Sequence, residues 1–221
     1  MSKTMDNPMA SVFKYLALSI LFMFIGFAFG QAFIPESIVY YANFILIFVI
    51  IGLLILAIMS RKSALPARFS MNYVYIFTFI DGILTYPILQ MYIKDLGAGI
   101  VMDTLIGTVI ILTILSIVSN KKEAGHYLNL GKTLLYSLIG LLIFTIISIF
   151  IDFKLTNIIL SIAGIIIFSG FILYDISLLK EEISKGNIVD REDLSIHVLN
   201  IYLDFVNIFL DLLRLIWELK N

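Results

Sequence analysis

The chain has 221 residues, of which 61% are hydrophobic and only 14% are charged, and its net charge is −1. Soluble domains carry about a quarter charged residues, so a single soluble core would leave far too much apolar surface exposed. The near-zero charge gives no sign of a nucleic-acid partner, and the absence of cysteine excludes disulfides, thiolate metal sites and cysteine nucleophiles. The composition therefore predicts an integral membrane protein whose surface contacts the lipid bilayer.

Seven segments predict membrane-spanning helices, the last of them interrupted by charges. They lie at about 13–34, 38–59, 73–93, 100–118, 133–151, 157–179 and 194–219. No small-residue cleavage site clearly follows the first segment, which we interpret as a retained helix. Within it, Gly26 and Gly30 form a GxxxG pair that allows close approach of another helix. The links are short, so we predict an all-α membrane protein with one seven-helix domain over residues 1–221.

The distribution of basic residues predicts the orientation of these helices. With a cytoplasmic N-terminus, 11 of the 15 lysine and arginine residues fall in cytoplasmic segments. The other four are Lys94, Lys154, Arg214 and Lys220. We therefore predict the N-terminus in the cytoplasm and the C-terminus outside. The membrane would be the plasma membrane in a prokaryote, or an internal membrane such as the endoplasmic reticulum in a eukaryote.

The seventh segment carries a polar stripe along one face. Its members recur at alternating steps of three and four residues: His197, Asn200, Asp204, Asn207, Asp211, Arg214 and Glu218. Helices that lie on a membrane surface usually carry many lysines on the polar face, whereas this face is acidic and rich in amides. A polar stripe that only held helices together would be costly, because each aspartate at the bilayer centre costs roughly 2.5–3.5 kcal/mol. We predict that helix 7 is central and that its stripe lines a wet or ion-paired interior.

Several polar residues at membrane depth are candidates for lining an ion pathway. They are Asp81, Asp103, His197, Asn200, Asn207, Asp211 and Arg214. Simpler interpretations stay open for three of the acids. Asp103 could serve only to place a negative charge near the N-terminal end of its helix, where the helix dipole stabilises it. Asp81 could be a buried protonated acid. Asp211 could pair with Arg214, three residues further along the same helix.

Asp175 in helix 6 and Asp204 in helix 7 form the strongest candidate site. A short loop joins the two helices, so they are expected to be neighbours. Two carboxylates that are close together in a low dielectric cannot both stay ionised, so the pair can act as a proton-operated switch. When ionised, the pair offers hard oxygen ligands for calcium. We add the hypothesis that Arg61, at the cytoplasmic end of helix 2, bridges to Asp175 and latches a cytoplasmic gate until protonation releases it.

Two stretches near the C-terminus resemble the closing signature of the Bax inhibitor-1 family. They are FSGFILYDISLL at 168–179 and LNIYLDFVNIFLDLLR at 199–214, and YIFTFIDGILTYPI at 75–88 resembles the third helix of that family. The resemblance implies a helix 7 surrounded by the other six, and a pH-sensitive calcium leak governed by Asp175 and Asp204. Asp81 stands where a small residue is expected and Asp211 where an amide is plausible, which affects conductance and pH response more than fold.

Two other functions use similar carboxylates. Intramembrane aspartyl proteases also place Tyr-Asp in helix 6, but their second aspartate follows Gly-x-Gly, whereas Ile201, Tyr202 and Leu203 precede Asp204. The Pro-Ala-Leu motif of those enzymes is absent, since no proline follows Pro87. A proton-coupled carrier would use the same acids as a relay. We predict a non-enzymatic, pH-sensitive calcium or cation leak channel, with no cofactor, and with calcium ions, protons and lipid as its partners.

Overall fold

The computed structural model describes residues 7–42, 68–148 and 154–220, and these residues form helices without any β-strand. The α-helices are α1 (Pro8–Phe33), α2 (residues 36–42 within the described range), α3 (Met71–Leu96), α4 (Ala98–Asn120), α5 (Gly131–Ser148), α6 (Lys154–Ser184) and α7 (Ser195–Lys220). Short 3-10 helices, Leu128–Leu130 and Arg191–Leu194, lead directly into α5 and α7. The all-helical prediction is therefore confirmed for the described part of the chain.

Six of the helices in the described ranges are long and apolar enough to cross a membrane. They correspond to the predicted first, third, fourth, fifth, sixth and seventh segments. Most of the predicted second segment, 38–59, and all of residues 43–67 lie outside the described residues. The count of seven spans and their orientation remain predictions.

Helix α6 ends five residues later than the apolar pattern predicted, at Ser184 instead of residue 179. The extra turn, residues 180–184, contains three charged side chains, so a prediction based on hydropathy ends the helix before it. Lys180 donates to the carbonyl oxygens of Ser119 and Asn120 at the end of α4, at 3.3 and 3.1 Å. Gly186, at φ +74°, then ends the helix in a backbone conformation that glycine adopts without steric cost.

The contacts within the chain separate two compact units, whose boundaries fall inside α3, between α6 and α7, and inside α7. The first unit comprises Met1–Met91 and Val189–Val198. In it, α1 and α3 touch through glycines, because a Cβ at Gly26 would overlap the carbonyl of Phe79 and one at Gly82 would overlap that of Met23. The close approach predicted from the GxxxG pair is confirmed, and α3 supplies the matching glycine.

The start of α3 is joined to the segment before α7 within this same unit. Arg68 forms ion pairs with Asp190 and Asp193 at 2.6 and 3.1 Å. The backbone N–H of Met71 donates to the Glu192 carboxylate, which satisfies one of the otherwise unpaired donors at the start of α3.

The second unit comprises Tyr92–Ile188 and Leu199–Asn221. Here α6 packs against α4 and α5. Gly170 of α6 lies against the side chain of Leu134 on α5, and Gly131 at the start of α5 lies against the ring of Tyr174. The helix that carries Asp175 is therefore held by neighbours on two sides.

Helix α7 is the most buried of the six candidate spans in the described ranges. In its most apolar window 61% of the residues are buried, against 6–28% in the other candidate spans. A helix that lay on a membrane surface would expose its whole polar face. The burial argues against a surface helix, and the position of α7 at the centre of the other six helices remains a prediction.

Candidate functional site

The side chains of Asp175 and Asp204 meet between α6 and α7. Asp175 lies nine residues before the end of α6 at Ser184, and Asp204 lies nine residues after the start of α7 at Ser195. At 1.5 Å per residue, both are about 14 Å from the segment that joins the helices. The two carboxyl groups approach within hydrogen-bonding distance of each other. Both side chains are buried, with 5% and 7% of their surface exposed.

The two aspartates of this pair have different hydrogen-bond partners. The side-chain amide of Asn200, one turn before Asp204 on α7, hydrogen-bonds Asp175. Oδ2 of Asp204 is fully buried and accepts no hydrogen bond from any N–H or O–H group of the described residues. A carboxyl group can donate to another only when it carries a proton. The arrangement therefore suits a pair that holds one proton between two acidic groups.

The same oxygens can contact a hard cation. Calcium takes six to eight oxygen ligands, and two carboxylates with one amide oxygen supply only part of such a shell. Within the described ranges, no group of three or more histidine and acidic residues is placed to hold a metal ion.

Two of the other predicted residues on α7 form an ion pair with each other. Arg214 Nη2 lies 2.5 Å from Asp211 Oδ1, and the Asp211 side chain is 7% exposed. The local pairing that the sequence left open is therefore present. Asn207, one turn before Asp211, donates its amide to the carbonyl oxygen of Leu203 at 2.8 Å.

The remaining predicted residues have different environments. Asp81 is half-buried in α3, where its backbone carbonyl accepts from the Thr85 hydroxyl at 2.8 Å. His197 is buried in the first turn of α7. Asp103 is exposed, because the buried face of α4 contains Thr104 and its neighbours at helical spacing, and Asp103 lies about 100° away from it. Arg61 and its predicted bridge to Asp175 lie outside the described residues.

The structure adds residues that the sequence argument did not assign to a site. The amide of Asn157 on α6 donates to Glu218 Oε1 at 2.7 Å, near the end of α7. Glu218 belongs to the predicted stripe, so its spacing was a usable signal. Gly164 of α6 lies directly against the Asp211 carboxylate, a contact that no sequence pattern indicates.

Comparison with known proteins identifies the family. Residues 5–221 match the family described as inhibitor of apoptosis-promoting Bax1. The chain belongs to the Bax inhibitor-1 family. The resemblance seen in the C-terminal signature is thereby confirmed over nearly the whole chain. With six apolar helices of spanning length among its described residues, this family member is a multi-pass membrane protein.

Its relatives include several bacterial proteins. An uncharacterized protein of Helicobacter pylori strain J99 is 30% identical over 140 residues, which cover 63% of this chain and 57% of that protein. An uncharacterized protein of Campylobacter jejuni is 28% identical over 231 residues, covering 97% of this chain and 93% of that protein. An uncharacterized membrane protein of Streptococcus pyogenes serotype M3 is 32% identical over 89 residues, or 39% and 38% of the two chains. The match to the Helicobacter protein thus spans less than two thirds of its length.

Proposed function

We propose that this Bax inhibitor-1 family protein is a pH-sensitive calcium leak channel, gated by protonation of the Asp175–Asp204 pair. The observation that carries the proposal is the direct contact of two buried carboxyl groups at matched depth on α6 and α7. Charged side chains inside a membrane are costly and usually mark an ion or proton pathway. The proposal assigns the chain no enzymatic activity.

The protonated pair holds the two helices together. With one proton, the carboxyl groups share a hydrogen bond, and such charge-assisted bonds are short and strong. The bond joins α6 to α7 within the membrane and closes the space between them. In this state the pair carries one negative charge instead of two and the helices stay in contact, so the channel is closed.

Loss of the shared proton opens the channel. Two ionised carboxylates in contact repel each other strongly in a low dielectric, so the helices separate or a cation enters between them. A divalent cation with hard-oxygen preference neutralises both charges. Calcium flux is therefore expected to rise with pH through the titration of the pair.

The latch predicted for Arg61 would give calcium flux the opposite pH dependence. If Arg61 bridges to ionised Asp175 and holds the gate shut, protonation of Asp175 releases the latch and flux rises as pH falls. The Arg61→Ala variant then leaks at rest. An unchanged resting leak in that variant rules the latch out and leaves the pair itself as the gate.

Calcium entry into proteoliposomes tests the proposal. Purified protein is reconstituted with a fluorescent calcium indicator inside, and influx is measured across a pH range of about 5 to 8. Wild type is compared with Asp175→Asn and Asp204→Asn. Glu123→Gln, which removes one exposed carboxylate from the loop after α4, is the matched charge control. The pH dependence should flatten in both aspartate variants and persist in the control.

Absence of protein-dependent calcium flux at every pH would contradict the channel proposal. The same aspartate pair would then be tested as a proton relay, since a buried carboxyl pair also suits a proton-coupled carrier. A pH indicator inside the same vesicles makes that measurement. Proteolysis, which would use the pair to activate water, comes third.

A further inference from the structure

A second carboxylate enters the seam between α6 and α7, beyond the aspartate pair. Asp211 lies seven residues after Asp204 on the same face of α7, a distance of about 10 Å along the axis. Its residue surface is only 5% exposed. A second buried acid therefore lies on the stripe, between the aspartate pair and the C-terminal end of α7.

A glycine on α6 makes room for this carboxylate. A Cβ at Gly164 would overlap Oδ2 of Asp211, so any larger residue would push the acid out of the seam. Gly164 is itself buried, and the contact holds the carboxylate against the backbone of α6. This is a specific fit between one glycine and one acid.

A cavity of about 250 Å³ opens beside the Asp211 carboxylate. Its polar wall is formed by Asn207, Asp211 and Arg214 of α7, and the rest of its lining comes mainly from apolar side chains of α5 and α6. A cavity of this volume has room for a cation with several water molecules. Three residues before Gly164 on α6, the hydroxyl of Ser161 is fully buried and has no hydrogen-bond partner in the described part of the chain. Ser161 lies one helical turn from Gly164 on the same face of α6, so its hydroxyl is a further candidate ligand.

The guanidinium of Arg214 now neutralises Asp211. Its Nη2 lies 2.5 Å from Oδ1, and about a third of the Arg214 side chain, 34%, is exposed. Arginine stays charged at all accessible pH values, so it acts as a permanent counter-ion. Because its long side chain is partly exposed, it can move aside without unfolding the helix.

We propose that Asp211 is a second cation-binding site and that Arg214 occupies it as a tethered competitor. Asp211, Asn207 and the cavity water would bind a hard divalent cation once the guanidinium leaves. The position of this site along a leak pathway rests on the proposed function, whereas cation binding at Asp211 does not. Gly164 would be required for the site, because a larger residue there would displace the Asp211 carboxylate.

Terbium luminescence provides a direct test of binding. Terbium is a luminescent substitute for calcium, and the only tryptophan of the chain, Trp217, lies six residues after Asp211, or about 9 Å along α7. Excitation at the red edge of tryptophan absorption near neutral pH, where the tyrosines stay protonated and terbium stays soluble, then reports binding near this residue. Arg214→Gln should bind terbium about tenfold more tightly than wild type, because it loses a charge-assisted competitor.

Three variants decide the assignment. Arg214→Lys keeps the tethered charge and should show no gain. Asp211→Asn in the Arg214→Gln background should abolish the gain, and Asp175→Asn in that background should retain it. A gain that survives Asp211→Asn, or no gain in Arg214→Gln protein that remains monodisperse and melts cooperatively, would overturn the proposal.

Calcium flux separates this proposal from the channel proposal. If Asp211 lies on the leak pathway, Arg214→Gln should raise calcium influx into proteoliposomes several-fold. If wild type conducts no calcium while the terbium gain depends on Asp211, the channel proposal fails and the cation site stands. If wild type conducts calcium but terbium binding does not depend on Asp211, the channel proposal stands and the proposed site at Asp211 is wrong.

Discussion

Asn200 and Asp175 are linked by a hydrogen bond from the side-chain amide of α7 to the carboxyl group of α6. Asn200 precedes Asp204 by one helical turn, so α7 presents both an amide and an acid to the same partner on α6. An amide donor favours the ionised form of a carboxyl group. The link between Asn200 and Asp175 thus sets how readily the aspartate pair gives up its shared proton.

Replacement of Asn200 should shift the pH response of the leak. In Asn200→Leu the ionised Asp175 loses a donor worth about 1 kcal/mol, which corresponds to somewhat less than one pH unit. Deprotonation then needs a higher pH, so the midpoint of calcium influx should move upward. Asn187→Leu makes the same side-chain change at an exposed position in the loop after α6. An equal shift in both variants would contradict the role of Asn200.

The contact between α1 and α3 should be intolerant of a single added methyl group. Gly82→Ala places a Cβ on the Met23 carbonyl, and overpacking of this kind costs about 1–3 kcal/mol. Thermal unfolding in detergent, followed by circular dichroism, should show a lower Tm. Gly107→Ala on α4, where a Cβ has open space, should leave the Tm unchanged or raise it. An equal change of Tm in the two variants would show that the contact between α1 and α3 is not tight.

The Asn157–Glu218 hydrogen bond should contribute to the stability of the α6–α7 seam. Asn157→Leu leaves the buried Glu218 carboxyl without its donor, at a cost of about 1–3 kcal/mol. Chemical or thermal unfolding in detergent measures the loss. The double variant Asn157→Leu with Glu218→Met removes both polar groups and should recover much of it. A double variant as unstable as the sum of its two single variants would argue against the pairing.

Lys180 should stabilise the end of α4 through the carbonyl groups that it contacts. In Lys180→Met, the carbonyls of Ser119, Asn120 and Lys122 lose a charged donor. Hydrogen exchange of the amides near residues 119–125 should accelerate by roughly fivefold, for a loss of about 1 kcal/mol. Lys185→Met removes only an exposed pair with Glu181 and should leave that exchange unchanged.

Hydropathy predicted the helices well because lipid imposes long apolar segments on any chain that crosses a bilayer. It failed at the end of α6, where Lys180 and the two glutamates after it continue the helix outside the apolar region. The predicted meeting of Asp175 and Asp204 needed only consecutive helices, a short loop and helical spacing.

Contacts that depend on the register between helices could not be predicted from one sequence. Gly164 meets Asp211 only because α6 and α7 pack at a particular offset, and nothing in either segment specifies that offset alone. The exposure of Asp103 has the same cause, since packing decides which face of α4 is covered. The spacing of the α7 stripe predicted Asp211 as a candidate but gave no indication of its glycine partner.

The most direct test of the central claim is a double-mutant cycle on the pH dependence of calcium influx. Wild type, Asp175→Asn, Asp204→Asn and the double variant are reconstituted side by side and measured at matched protein density. If the two acids share one gating proton, each single variant should flatten the pH response as fully as the double variant does. A pH response that persists in either single variant, or single effects that add up in the double variant, would contradict a shared proton.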